Sequence, residues 1–205
     1  MILVVGLSTS EFLMSISSIT LAVNWVLQGH FKVKFQKLKS DKLALLLTFL
    51  FFIYVFWMVG TSDLNEGLKE LRIRLPLLLF PIVLGSIPRF REKELTLIAR
   101  LFVLATLVST FISVGVYLEW IPTSLDITDV RNISIFISHI RLSLLICVAI
   151  VLSIYFILSE KAYRLLISLG ILWFIGFLYL IQSATGFVIL FILVGFLGVY
   201  SLKNT

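Results

Sequence analysis

Two side chains that can carry charge, His139 and Arg141, lie two residues apart inside the apolar stretch ISHIRLSLL. At about 100° per residue, a helix would place Arg131, Ser134, Ser138 and Arg141 within an arc of about 80°, as one polar stripe. Arginine presents a planar fork of donors that matches phosphate oxygens. The pattern predicts an anion-binding site, with His139 as the candidate general base because imidazole exchanges a proton near neutral pH. The alternative is a buried arginine bound to helix carbonyls beside an ordinary interior histidine.

The composition of the chain sets the environment of these residues. Of its 205 residues, 60% are hydrophobic, which is more apolar surface than a soluble domain can bury. Mean hydropathy is +1.12, and the charged residues cluster between apolar runs, as in a polytopic α-helical membrane protein. The single Cys147 supports neither a disulfide framework nor a zinc site. No motif for a metal or another cofactor is present, so we expect none.

Seven apolar segments predict an all-α, polytopic transmembrane helical bundle of about six to seven spans, in a single domain (1–205). They cover residues 2–28, 43–60, 75–87, 97–118, 133–158, 165–182 and 187–201. The first segment is interrupted by the polar residues 8–11, and it forms either two helices or one long bent helix. The third segment carries Pro76 and Pro81, which predicts a short span that is kinked or re-entrant.

The depth of Arg141 decides the cost of its charge. If its helix begins near Ile133, Arg141 lies about 12 Å along it, because each residue adds ~1.5 Å. A charge at such a depth in a membrane costs at least about 2.5–3.5 kcal/mol on insertion scales. We therefore expect Arg141 to face the protein interior or a cavity that opens outward, on the same side of the helix as Ser138 and Arg131.

The sequence TSDLNEGLKELRIRL (61–75) predicts a short amphipathic helix at the membrane–water boundary. Four leucines share one of its faces: Leu64, Leu68, Leu71 and Leu75. Asp63 with Glu66 fits a helix-capping pattern. The helix would present Lys69 and Arg72, which either contact lipid phosphate or are ordinary solvated charges.

Basic residues predict the orientation of the chain. Three loops are rich in lysine and arginine: residues 30–42, 88–94 and 159–164. Alternating spans put these loops on one side, which the positive-inside rule makes cytoplasmic. The other connections then lie outside: residues 61–75, residues 119–132 and the tight turn QSATG (182–186), where Gly186 supplies flexibility. We expect no nucleic-acid partner, since no soluble basic domain is present.

Four sequence blocks follow one another in a recognisable order. They are SISSITLAVNW (15–25), LKELRIRLPLLLFPIVLG (68–85), DVRNISIFISHIRLSLL (129–145) and LIQSATG (180–186). Their order and spacing resemble the N-terminal half of the bacterial O-antigen ligase family, over nearly the whole chain. The resemblance implies a metal-independent, GT-C-like glycosyltransferase of the bacterial inner membrane, with its active face toward the periplasm. Such enzymes move a glycan from a lipid-linked donor, undecaprenyl pyrophosphate, onto the lipid A-core acceptor, among membrane lipids.

The resemblance also implies roles for individual residues. It makes Arg131 and Arg141 the site for the lipid pyrophosphate, to which we add three further candidate ligands: Ser138, Arg72 and Lys69. Family members carry an arginine where this chain has Ala184, and they are about twice as long, so we expect a fragment that lacks full activity. The alternatives are an O-antigen polymerase-type enzyme, a transporter or flippase for lipid-linked glycans, and a non-catalytic membrane subunit.

Overall fold

The computed structural model describes residues 1–61, 63–122, 133–160 and 163–203, and only the backbone for residues 59 and 197–203. These residues form α-helices, most of them joined by short turns, with a 3₁₀ turn at Met58–Gly60 and no strand among them. The helices are α1 (Ile2–Thr9), α2 (Glu11–Leu27), α3 (Phe31–Ser40), α4 (Lys42–Trp57), α5 (Leu64–Ser86), α6 (Glu92–Tyr117), α7 (His139–Ser159), α8 (Arg164–Leu180) and α9 (Ala184–Lys203). The predicted all-α class is confirmed.

Fewer helices are fit to cross a membrane than the six to seven predicted. In the described part of the chain, α6 and α7 are long and apolar enough, and a third span arises if α2 and α3, bent by 116° at their junction, count together. Helices α4 and α8 have 16 and 17 residues, so at ~1.5 Å per residue they fall short of a ~30 Å core. Helix α5 has 23 residues, but its N-terminal half is charged. The apolar helices are consistent with a membrane protein.

The chain divides into two compact units, one made of residues 1–14 and 92–205 and the other of residues 15–91. In the first unit α7 is the central helix, packed against α6, α8 and α9, while α1 packs against α6. Leu142, Ile146 and Ile150 of α7 share one apolar core with Phe174 and Leu178 of α8. This core fixes the helix that carries Arg141.

The buried face of α6 is lined by small polar side chains: Thr106, Ser109, Thr110 and Ser113. Small residues allow neighbouring helices to approach closely. Thr110 Oγ1 also accepts a hydrogen bond from Trp173 Nε1 of α8 at 2.9 Å, and the Trp173 ring stacks on Phe111 at 3.9 Å between centroids. These contacts tie α8 to the middle of α6.

The first apolar segment forms two helices, α1 and α2, which meet at Ser10. The corner is tight, since a Cβ built on Gly6 would lie 2.8 Å from the backbone nitrogen of Met14. Only glycine fits this approach without moving the backbone, because Cβ atoms essentially never come so close to another heavy atom. The corner places Glu11 at the first position of α2.

Helix α7 begins later than the sequence predicts, at His139 instead of near Ile133. Ile133 and Ile137 are buried in the core, in a segment that is not α-helical. Ser138 then caps the helix, its Oγ accepting from the Arg141 amide at 3.5 Å. The predicted polar stripe is therefore wrong, because Ser134 and Ser138 precede the helix. Arg141 lies about 3 Å, not about 12 Å, along it.

The second unit contains a sharp corner between α2 and α3. Gly29 and His30 adopt positive φ values of 61° and 54° there. Trp25 Nε1 donates to Ser86 Oγ at 2.6 Å, and Lys34 Nζ donates to the Trp25 carbonyl while standing 4.7 Å from its ring centroid. The segment 30–42, predicted as a basic loop, therefore contains a helix anchored by one of its own lysines.

Helix α5 joins two features that the sequence separates, the amphipathic helix 61–75 and the third apolar segment. It runs without interruption from Leu64 to Ser86 and contains Pro76 and Pro81. Asp63 caps it as predicted, since its Oδ1 accepts from the Asn65 and Glu66 amides at 2.9 and 3.2 Å.

Candidate anion-binding site

The N-terminal turns of α7 and α9 lie side by side. A Cβ built on Gly186, the third residue of α9, would lie 2.9 Å from Ser143 Cβ in the second turn of α7. Cys147 Sγ donates to the Gly186 carbonyl at 3.3 Å. Gly186 thus allows close helix packing, and its predicted role as a flexible turn residue is wrong. The two sequence blocks ISHIRLSLL and LIQSATG are brought together at this contact.

Each of these helices starts with a serine cap. Ser138 accepts from the Arg141 amide, and Ser183 Oγ accepts from the Gly186 amide at 3.2 Å. Gln182, just before Ser183, has a φ of 49° and closes the turn after α8, as the sequence predicts for QSATG. The other first-turn amides of both helices are an electropositive surface, because helix N-termini carry about half a positive charge.

Arg141 lies at this end of the first unit, in the first turn of α7. Its Nη1 donates to Glu11 Oε1 at 2.9 Å, and the two side chains keep 55% and 59% of their accessible surface. Glu11 is the first residue of α2, so the ion pair brings a third helix N-terminus to the same place. We call the N-terminal turns of α2, α7 and α9, with Arg141 and Glu11, the three-helix end.

Positive features outnumber negative ones at the three-helix end. Arg141 lies at the positive end of α7, where a cation is unfavourable by about 0.3–1 kcal/mol. Glu11 offsets part of that charge, but an exposed ion pair contributes only about 0–1 kcal/mol. The arrangement is therefore suited to an anion that adds to Glu11 or displaces it.

The other predicted site residues are placed differently. His139 is the first residue of α7 and half-buried, and no described residue hydrogen-bonds to its ring. Ser138 is exposed. Arg131, and the carboxylates Asp126 and Asp129 near it in sequence, lie outside the described residues. In the described part of the chain no cluster of three or more His, Cys, Asp or Glu side chains could hold a metal ion.

Lys69 and Arg72, the remaining candidates, belong to α5 in the second unit. Both side chains are exposed. Their neighbour Arg74 pairs with Glu70 one turn away and stands 4.5 Å from the Tyr54 ring centroid. Lys69 and Arg72 are thus exposed cations of α5, whereas its third basic residue, Arg74, makes structural contacts.

The sequence-based prediction omitted Glu11 as a partner of Arg141. A signal was present, because Glu11 is the one ionisable residue in the apolar segment 2–28, and charges inside such segments usually pair with one another. The convergence of three helix N-termini had no comparable signal, since it depends on the contact between Gly186 and Ser143.

No protein-family model, curated protein or solved structure matches the chain.

Proposed function

We propose that the chain binds the pyrophosphate of a lipid-linked glycan and acts in glycan transfer of the O-antigen ligase type, from undecaprenyl pyrophosphate to lipid A-core. The observation that carries the proposal is the position of Arg141, exposed in the first turn of α7 beside the N-terminus of α9. In this proposal the protein lies in the bacterial inner membrane, with the three-helix end toward the periplasm.

The energetics favour pyrophosphate over Glu11 as the partner of Arg141. An exposed Arg–Glu pair is worth about 0–1 kcal/mol, so little free energy is lost when another anion replaces Glu11. Pyrophosphate offers several charged oxygens, so it can accept from the Arg141 fork and from helix N-terminal amides at once. In this proposal Glu11 pairs with Arg141 in the absence of donor lipid and holds the arginine side chain in place.

The same groups suit the chemistry of transfer. The bond between the anomeric carbon and the pyrophosphate oxygen breaks, and its electron pair stays on the leaving pyrophosphate. Negative charge therefore grows where Arg141 and the helix N-termini lie, and fixed donors at such a place stabilise the transition state. The acceptor hydroxyl forms the new bond to the anomeric carbon and loses its proton to a base. His139, two residues from Arg141, is the candidate for that base.

The binding step is tested directly with the full 205-residue chain in nanodiscs. The probes are undecaprenyl pyrophosphate and, without the charged group, undecaprenol. We expect the pyrophosphate lipid to bind at least tenfold more tightly than undecaprenol. Arg141→Gln should remove most of that preference, and Glu11→Gln should increase it several-fold because the competing carboxylate becomes neutral.

The control for charge is Arg89→Gln, which removes an exposed arginine of the second unit. It should leave the preference unchanged. Equal binding of the two lipids, or an equal loss in Arg89→Gln and Arg141→Gln, would contradict the proposal.

A further inference from the structure

A groove of about 630 Å³ opens between α6, α7 and α8, at the opposite end of α7 from Arg141. Its walls are apolar and include Leu104, Leu107, Phe156, Leu166 and Gly170. The volume lies within the range of about 300–1,000 Å³ that is usual for small-molecule sites. Two of its helices, α6 and α7, are the candidate membrane spans, so the groove is suited to an occupant that comes from the bilayer.

The length of the groove matches one acyl chain. Along α6 it extends from Arg100 to Phe111, a rise of eleven residue steps or about 16 Å at ~1.5 Å per residue. One leaflet of the hydrocarbon core is about 15 Å thick, half of ~30 Å. The far end is lined by the stacked rings of Phe111 and Trp173, and Trp173 donates a hydrogen bond to Thr110.

The open end of the groove is charged. Arg100 pairs with Glu160 there, and its guanidinium stands 5.9 Å from the Phe156 ring centroid. Arg100 also lines an adjoining pocket of about 330 Å³ together with Lys93, Thr96 and the carboxylate Glu92. Half of the Arg100 side chain (51%) is exposed, and one hydrogen bond to Glu160 uses only part of its donor fork.

We propose that this groove binds one anionic glycerophospholipid of the membrane, with an acyl chain along α6 and the headgroup phosphate at Arg100 and Lys93. Lysine and arginine side chains at the ends of membrane helices attract anionic headgroups in this way. The proposal does not rest on the function proposed above, because the groove and the three-helix end share no residue.

The test uses the full chain, purified in mild detergent from membranes that contain phosphatidylglycerol and phosphatidylethanolamine. Native mass spectrometry counts the lipids that stay bound, and a phosphatidylglycerol with a pyrene-labelled acyl chain gives the affinity. We expect one retained phosphatidylglycerol per chain. Glu160→Gln should tighten its binding several-fold by releasing Arg100, and Arg100→Gln should weaken it at least tenfold.

Two glycines of α8 provide a matched pair for blocking the groove. A Cβ on Gly170 or on Gly176 meets no atom within 4 Å, but only Gly170 lines the groove. Gly170→Phe should therefore abolish lipid retention while Gly176→Phe preserves it, with both variants eluting as the native chain does. The pair separates a filled groove from a general loss of folding.

Three outcomes would overturn the proposal. Equal retention of phosphatidylethanolamine and phosphatidylglycerol would remove the charge selection by Arg100. Retention unaffected by Gly170→Phe would place the lipid elsewhere. A dimer that Gly170→Phe dissociates, with no lipid retained, would assign the groove to a second copy of the chain.

Discussion

Gly186 of α9 packs with its backbone directly against Ser143 of α7. A Cβ built on residue 186 would lie only 2.9 Å from Ser143 Cβ. Ser143 is fully buried, and neither its Cβ nor the α7 backbone can move without disturbing the core. This contact holds the N-termini of α7 and α9 together, and with them the surroundings of Arg141.

Replacing Gly186 with alanine should therefore separate the two helices. Overpacking a filled interior typically costs about 1–3 kcal/mol, so we expect a lower thermal unfolding temperature in detergent micelles. The control is Gly195→Ala in the same helix, where a Cβ meets no atom within 4 Å. Alanine at that position should be neutral or stabilise the helix by up to about 1 kcal/mol. Equal effects of the two substitutions would contradict the packing argument.

The cap of α5 gives a second prediction. Asp63→Ala removes the acceptor of the Asn65 and Glu66 amides, at a usual cost of about 0.5–2 kcal/mol. Hydrogen exchange of those two amides should become faster, while α6 and α7 keep their protection. The control is Asn65→Ala, which changes a side chain in the same turn but leaves the Asp63 cap intact. In this variant the first-turn amides of α5 should exchange as they do in the native chain.

Local signals in the sequence predicted much of the fold. The apolar runs predicted the presence of α6 and α7, and Asp63 predicted the start of α5. The polar residues in the first apolar segment indicated the break near Ser10. Each of these features depends on residues within one or two turns of one another. These features are stabilised by local hydrogen bonds and by the preference of a continuous apolar run for an apolar environment. Both can be recognised directly in the sequence.

The start of α7 could not be predicted in the same way. A continuous apolar run such as ISIFISHIRLSLL is compatible with α-helix throughout, yet its first part is not α-helical and buries Ile133 and Ile137 in the core. Tertiary packing overrides local preference here. The late start of α7 also changes the position of Arg141, to about 3 Å along the helix instead of about 12 Å. Its partner Glu11 lies 130 positions away, and only the presence of one charge inside an apolar segment indicated such a pair.

The membrane orientation remains a prediction of the basic loops, and it leads to a labelling result. Ser40→Cys lies at the end of α3, on the side predicted as cytoplasmic, and Ala184→Cys lies on the side predicted as outside. Both positions are exposed. The native Cys147 is only 1% exposed, so it should not react with the labelling reagent. A membrane-impermeant maleimide applied to intact cells should label only Ala184→Cys. Labelling of both variants from the same side would refute the orientation.

Ala184 allows the proposed function to be tested by a gain of glycan-transfer activity instead of a loss. It is the exposed first residue of α9, so an arginine there would project from the three-helix end without displacing a packed side chain. A cation at a helix N-terminus costs about 0.3–1 kcal/mol, which predicts a slightly less stable chain. One positioned donor is worth about 10²–10³ in rate, so Ala184→Arg should raise glycan transfer far more than it lowers stability.

The measurement is complementation of a bacterial strain that lacks its O-antigen ligase, with capped lipid A-core as the readout. We expect little or no capped product from the native chain and a clear increase from Ala184→Arg. Thr185→Arg adds the same charge one residue later, about 100° around the helix, and should not reproduce the increase. If both arginine variants increased capping equally, general positive charge would explain the effect. If the native chain capped at the level of an intact ligase, Ala184 would not be a deficiency in this site.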